Sequence, residues 1–119
     1  MVGTNTININ NYIINRELLE CMLSAYNFTA EKTVSEEDGL VILCLDEIEF
    51  LIAWGADEDE ALNDMAKQIF EYAEDYYNYF ETWSKGTNTV KHIPYVLKAL
   101  ILNDVEKIKE LIKCRLGEI

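Results

Sequence analysis

Apolar positions along this chain of 119 residues follow two different rhythms, and the change of rhythm predicts where strands give way to helices. In the opening TININNYII, polar and apolar residues alternate through Thr6, Ile7, Asn8 and Ile9, the period-two sign of a short strand. Asn15 can then cap a first helix, in which Leu18, Leu19, Met22, Leu23 and Tyr26 recur at helical spacing and present one apolar face for packing on a sheet. Asp38-Gly39 is a turn signal between a polar strand around Lys32 to Ser35 and the apolar run Leu40 to Leu45, which predicts a hairpin. A continuous run such as LVILCL suits a central strand covered on both faces. A further strand, Glu49 to Trp54, follows and ends at Gly55.

At Asp57 the period becomes 3.6. Asp57 is the expected N-cap, with Glu60 three residues on as in a capping box. Leu62, Ile69, Tyr76 and Trp83 then recur seven apart, and Ala66, Ala73 and Phe80 keep the same spacing, so a single long helix with one apolar seam is expected as far as Trp83. Lys85-Gly86-Thr87-Asn88 has loop composition, and HIPYVLKALIL restarts a helix with Pro94 near its first turn. Asn103 is expected to end that helix and cap the next. Val105, Ile108, Leu111, Ile112 and Leu116 would form the apolar face of a final amphipathic helix. The fold class expected from these elements is α+β: one domain over 1–119, with a strand-rich half (1–56) and a helical half (57–119). Its sheet should be small and mostly antiparallel, with three to four strands, a short first helix, one long amphipathic helix and two shorter C-terminal helices.

Charge narrows the choice of partner. The formal net charge is −12, and its distribution is uneven. Residues 1–56 hold nine acids and two bases, residues 57–83 nine and one, and residues 84–119 four and seven. A field of that sign repels nucleic acid and anionic membranes and favours a basic partner. No run approaches a membrane span, and MVGTNTINI has neither region of a signal peptide, so a cytoplasmic protein is expected. Cys21, Cys44 and Cys114 lie far apart without CxxC spacing and are expected as buried, reduced thiols.

The residues offer little for catalysis. His92 is the only histidine, and its place two residues before Pro94 suggests a structural role at a helix entry. Thr89, not Glu, stands three residues before it, so the Glu-x-x-His element of a di-metal bundle is missing. Asp57 to Glu60 reads as N-terminal helix capping, because carboxylates there interact favourably with the helix dipole. The five glycines are isolated and form no phosphate loop. No enzyme activity, cofactor or metal is therefore expected. The richest stretch is EYAEDYYNYFETW, with six aromatic rings and four carboxylates but no base. Base stacking on nucleic acid needs cations beside the rings, so this mixture points to a basic protein. Tyr76, Phe80 and Trp83 fall on the seam, whereas Tyr72 and Tyr79 lie seven apart on a neighbouring stripe flanked by Glu71, Asp75 and Glu81. That stripe is either a partner-binding surface or is buried beneath the last two helices.

The passage from LCLDEIEFLIAWGADEDEAL through EYAEDYYNYF and Trp83-Ser84, followed by HIPYVLKALIL, resembles the Phd-like antitoxins of RelE/RelB toxin-antitoxin systems, over about residues 4 to 115. GADEDEAL is also similar to the strand-to-helix passage of HicB-like antitoxins. The resemblance implies a cytoplasmic bacterial protein that neutralises a basic toxin, commonly a ribonuclease, and that forms a homodimer and binds its operator through its N-terminal part. Charge argues against the last of these, since residues 1–35 carry only Arg16 and Lys32 as bases. The expected function is thus antitoxin-type binding of a basic toxin through Glu71, Tyr72, Asp75, Tyr79 and Glu81. The alternative is a structural domain that self-associates through the heptad seam.

Overall fold

Strand β4 (Val41–Leu45) sets the orientation of the whole sheet, because burial alternates along it: Val41, Leu43 and Leu45 are buried, while Ile42 and Cys44 are half-exposed. The computed structural model describes residues 6–9 and 12–117. β4 is central but is covered on one face only, a correction to the two-sided burial expected from LVILCL. The continuous apolar run arises because the outward-facing positions also carry apolar side chains.

β3 (Phe28–Val34) and β5 (Ile52–Gly55) flank β4 on either side, both antiparallel to it. Gly39 closes the β3–β4 hairpin at φ 73°, a left-handed conformation that costs glycine little, and Asp38 Oδ1 accepts from the Leu40 amide at 3.1 Å. The outer edge of β3 is taken by β6 (Ile112–Leu116), which runs parallel to it and completes the order β5-β4-β3-β6. This corrects the final helix of the sequence reading, which would have run through Leu116. Helix α5 (Val105–Leu111) stops after seven residues, and the chain then pairs the backbone groups that β3 would otherwise leave open at its edge.

Helix α2 (Glu58–Asn78) lies across the buried face of the sheet and supplies Ala61, Met65, Ala66, Ile69, Tyr72, Ala73 and Tyr76 to the core. Asp57 caps it, its Oδ1 accepting from the Glu60 amide at 2.8 Å. The helix does not continue to Trp83. Tyr79 leaves helical geometry at φ −122°, ψ 43°, and a short helix α3 (Phe80–Ser84) follows. The break folds Trp83 back onto the parent helix, stacked on Tyr76 at 6.0 Å and edge-on to Tyr72 at 5.3 Å. The heptad seam is consequently closed within the chain itself, and its buried members are not free for self-association.

A tight turn at Val90–His92 leads into α4 (Ile93–Leu102), with Pro94 in its first turn. Asn103 ends α4 in the left-handed region, but Asp104 is the residue that caps α5, accepting from the Glu106 amide. Near the N-terminus, β1 (Thr6–Ile9) and β2 (Tyr12–Asn15) form an antiparallel hairpin. Helix α1 (Arg16–Met22) follows, capped by Asn15 as expected. It packs on α4, through Leu19 and Leu23 against Ile101 and Leu97, and not on the sheet. Hydrogen bonds from Arg16 to the Ile101 carbonyl and from Lys98 to the Leu23 carbonyl fix that contact. Leu18, Met22 and Tyr26, the rest of the expected apolar face, stay exposed.

Candidate partner-binding surface

One flank of α2 runs along the free edge of the sheet. Asp64 accepts from the Trp54 amide at 3.4 Å, and the Gln68 side-chain amide donates to the Ile52 carbonyl at 2.8 Å, so two edge groups of β5 are covered by helix side chains. Glu71 and Asp75 continue this stripe at helical spacing, and both are exposed. Tyr79 follows at the break, 62% exposed, with Glu81 exposed just beyond. Four of the five residues expected to meet a partner, Glu71, Asp75, Tyr79 and Glu81, are therefore exposed, two on α2 and two at or just beyond its end. Asp75 has a second task, since it accepts from Trp83 Nε1 at 2.9 Å and so holds the folded-back ring.

The fifth residue, Tyr72, is buried. Its hydroxyl shares a 2.8 Å hydrogen bond with His92 Nδ1, and His92 Nε2 donates to Glu49 Oε1 at 3.0 Å. The Nε2 proton is assigned by the partner, because a carboxylate only accepts. Glu49 also pairs with Lys91 at 2.7 Å. Lys91, the backbone amide of Glu49 and His92 together pull the Glu49 carboxyl down to about 2. Burial pushes the Tyr72 phenol upward, helped by the nearby Tyr76 and Glu49. Phe50, Trp83 and Tyr76 all set their rings edge-on to Tyr72. The group is a clamp, buried at Tyr72 and His92 and open to solvent at Glu49, that joins α2, the β4–β5 loop and the start of α4, and His92 has the structural role its position suggested. Tyr72 belongs to this clamp, so it supports the surface from within.

The cysteines depart from expectation in one respect. All three are free thiols, but Cys21 is exposed, because it lies on the side of α1 that faces away from α4; Cys44 and Cys114 are half-buried. Among the described residues no helix is long and apolar enough to cross a membrane, and no group of three potential ligands could hold a metal ion.

A mixed sheet with its helices on one face, and a carboxylate-lined helix flank with an exposed tyrosine at its end, define a small acidic α+β protein. The chain belongs to the PHD-like family, the antitoxins of RelE/RelB toxin-antitoxin systems, whose pattern matches residues 4–114. Its fold is similar to a crystal structure from Syntrophomonas wolfei subsp. wolfei described as the antitoxin part of a candidate toxin/antitoxin system. The TM-score is 0.78 and the identity 27%, over 94% of this chain and 81% of that one. No curated protein matches this chain.

Sequence reasoning passed over two side chains that the fold exposes beside the flank, Ile52 and Trp54. The run Leu51 to Gly55 is apolar throughout and shows no alternation in sequence, so only the strand's two-residue period in the fold separates exposed Ile52 and Trp54 from buried Leu51, Ala53 and Gly55.

Proposed function

We propose that this protein neutralises a basic cognate toxin of ribonuclease type by non-catalytic binding in the cytoplasm, with the outer flank of α2 and α3 as the contact. The supporting observation is the exposure of Glu71, Asp75, Tyr79 and Glu81 within a segment that holds nine acids and one base. Carboxylates that are free to face solvent raise the rate at which a cationic protein arrives, and an exposed tyrosine supplies contact area at low entropic cost. Glu71 and Glu81 form no ion pair within the described residues, so their field is directed outward. The test is co-expression with the product of an adjacent gene encoding a small basic protein. Wild type should restore growth, and Glu71→Lys with Glu81→Lys should slow association while leaving the melting temperature unchanged. Tyr79→Ala should instead speed dissociation. Asp75 is left intact because it also anchors Trp83. Unchanged association after the double reversal would remove this surface from the proposal.

A further inference from the structure

The helices of this fold cover one face of the four-stranded sheet and leave the other open. On the open face, register places Trp54 beside Ile42 and Ile52 beside Cys44, a two-by-two apolar block across β5 and β4. Trp54 is 55% exposed and Ile52 43%, while Ile42 and Cys44 are half-buried beside them on β4. The neighbouring half of the face is polar. Glu31 lies beside Cys44 and pairs with Arg115 of β6, which also pairs with Asp46, so this cation is already neutralised. We infer that the apolar block centred on Trp54 is a docking surface for the same basic partner, reached around the β5 edge from the acidic flank of α2 and taking an apolar side chain of that partner.

Charge and size both favour this occupant over a second copy of the chain. Two copies would each bring a net charge of −12 face to face, and like charges of that size oppose association. The open face spans four short strands, so at about 4.8 Å between strands and about 3.3 Å per residue it offers roughly 300 Å². A stable interface needs about 800 Å² per partner, which the block reaches only together with a neighbouring surface. Asp64 and Gln68 join it to one. They stand at the β5 edge and belong to the stripe that continues through Glu71 and Asp75. The same two residues cover the Trp54 amide and the Ile52 carbonyl, so contact here is made by side chains and not by addition of a strand. Lys113 is exposed on β6, at the far half of the face, where the other charges are paired in the group of Arg115, Glu31 and Asp46.

The inference rests on the reading of this chain as a binder of a basic toxin, and the experiment separates the two. The purified product of the adjacent gene is titrated into wild type and into the Ile52→Thr, Trp54→Thr double variant, with both rates followed by surface plasmon resonance. The expected result is a dissociation rate raised by about tenfold or more with little change in association, because buried aromatic contacts form after encounter. A dissociation rate equal to wild type overturns the docking site but leaves the toxin-binding reading standing; wild type that does not bind the toxin overturns both. A second readout does not depend on the folding of the double variant. Saturating partner should shield tryptophan emission from acrylamide in wild type, and Trp54→Phe should remove most of that protection, leaving only what half-buried Trp83 contributes; protection that survives Trp54→Phe unchanged, or emission equally quenched with and without partner, overturns the site. If sedimentation shows a wild-type dimer that the double variant loses, the block is a contact between copies, and the assignment to a basic partner is wrong.

Discussion

A single methyl group at residue 55 would be enough to part the sheet from its main helix. The end of β5 passes so close to the start of α2 that a Cβ on Gly55 would overlap the Ala61 amide nitrogen and lie 2.9 Å from both the Ala61 Cα and the Asp57 carbonyl oxygen. These are backbone atoms of a capped helix and cannot rotate away. Gly55→Ala is expected to cost about 1–3 kcal/mol in urea unfolding, the usual range for overpacking. Glu49 gives a second prediction at this scale. Its carboxyl titrates at about 2 in the fold against an ordinary 4.5, so the native state favours the ionised form. The contribution is complete above pH 4.5 and is lost as pH falls from there toward 2. Glu49 is exposed, which keeps the effect small through solvent screening. The urea midpoint of Glu49→Gln should fall less steeply than that of wild type between pH 5 and pH 2.5, and parallel curves would show that the pair with Lys91 contributes nothing. The fate of the two tyrosines shows how far single residues could be read in advance. Tyr72 and Tyr79 share a stripe only if the helix is continuous, and the break at Tyr79 separates them, one into the clamp with His92 and the other into solvent. Heptad spacing carries no trace of that break, whose stabilisation comes from Trp83 closing on Tyr72 and Tyr76.

Elements were legible where local chemistry decides them. The Asp57 cap, the turn at Gly39, the cap at Asn15 and the start of α4 at Pro94 all depend on a few neighbouring residues, and each stands where the pattern puts it. β6 is different, because its conformation is decided by the open edge of β3, about eighty residues earlier in the chain. Ile108, Ile112 and Leu116 are spaced four apart and so suit a helix as well as they suit a bend into a strand. A substitution pair distinguishes the two. On one helical face Ile112 and Leu116 would both be buried; in the strand Ile112 is buried and Leu116 is 79% exposed. Ile112→Ala should therefore cost about 2–4 kcal/mol through a residual cavity. Leu116→Ala should stay within about 0.5 kcal/mol of wild type. Equal losses in chemical denaturation would place the C-terminal segment back in a helix. The same dependence on tertiary partners explains α1, whose apolar stripe is too wide for the single contact with α4 and so leaves Leu18 and Met22 in solvent.

Across the whole molecule, net charge and the placement of the few bases decide what the surface attracts. The family contains antitoxins, and the resemblance read in the sequence carried with it an expectation of operator binding through the N-terminal part. Recognition of a duplex requires cations that are free to neutralise phosphates, each displacing a condensed counterion. The two bases of residues 1–35 are both engaged inside the fold. Arg16 donates to the Ile101 carbonyl at 3.3 Å and lies 3.7 Å from Glu20, while Lys32 pairs with Glu58 at 3.2 Å. Arg115 is held between Asp46 and Glu31, and Lys109 by Asp59. Releasing any of these cations to phosphate would leave a carboxylate behind, so the gain of a phosphate contact is offset by the loss of an ion pair and by repulsion from the uncovered acid. A dimer would double the bases and the acids together and would keep the same sign of field. The expected outcome is that the protein alone, at about 150 mM salt where the Debye length is roughly 8 Å, does not shift a duplex carrying its own upstream region in a gel assay, at concentrations up to about 1 μM, the tighter end of typical non-specific affinities. A sequence-dependent shift in the nanomolar range, weakening steeply as salt rises, would mean that a basic face forms despite these pairings. A shift seen only after the proposed toxin partner is added would instead place the missing cations on that partner, and would make the complex, not the free antitoxin, the DNA-binding species.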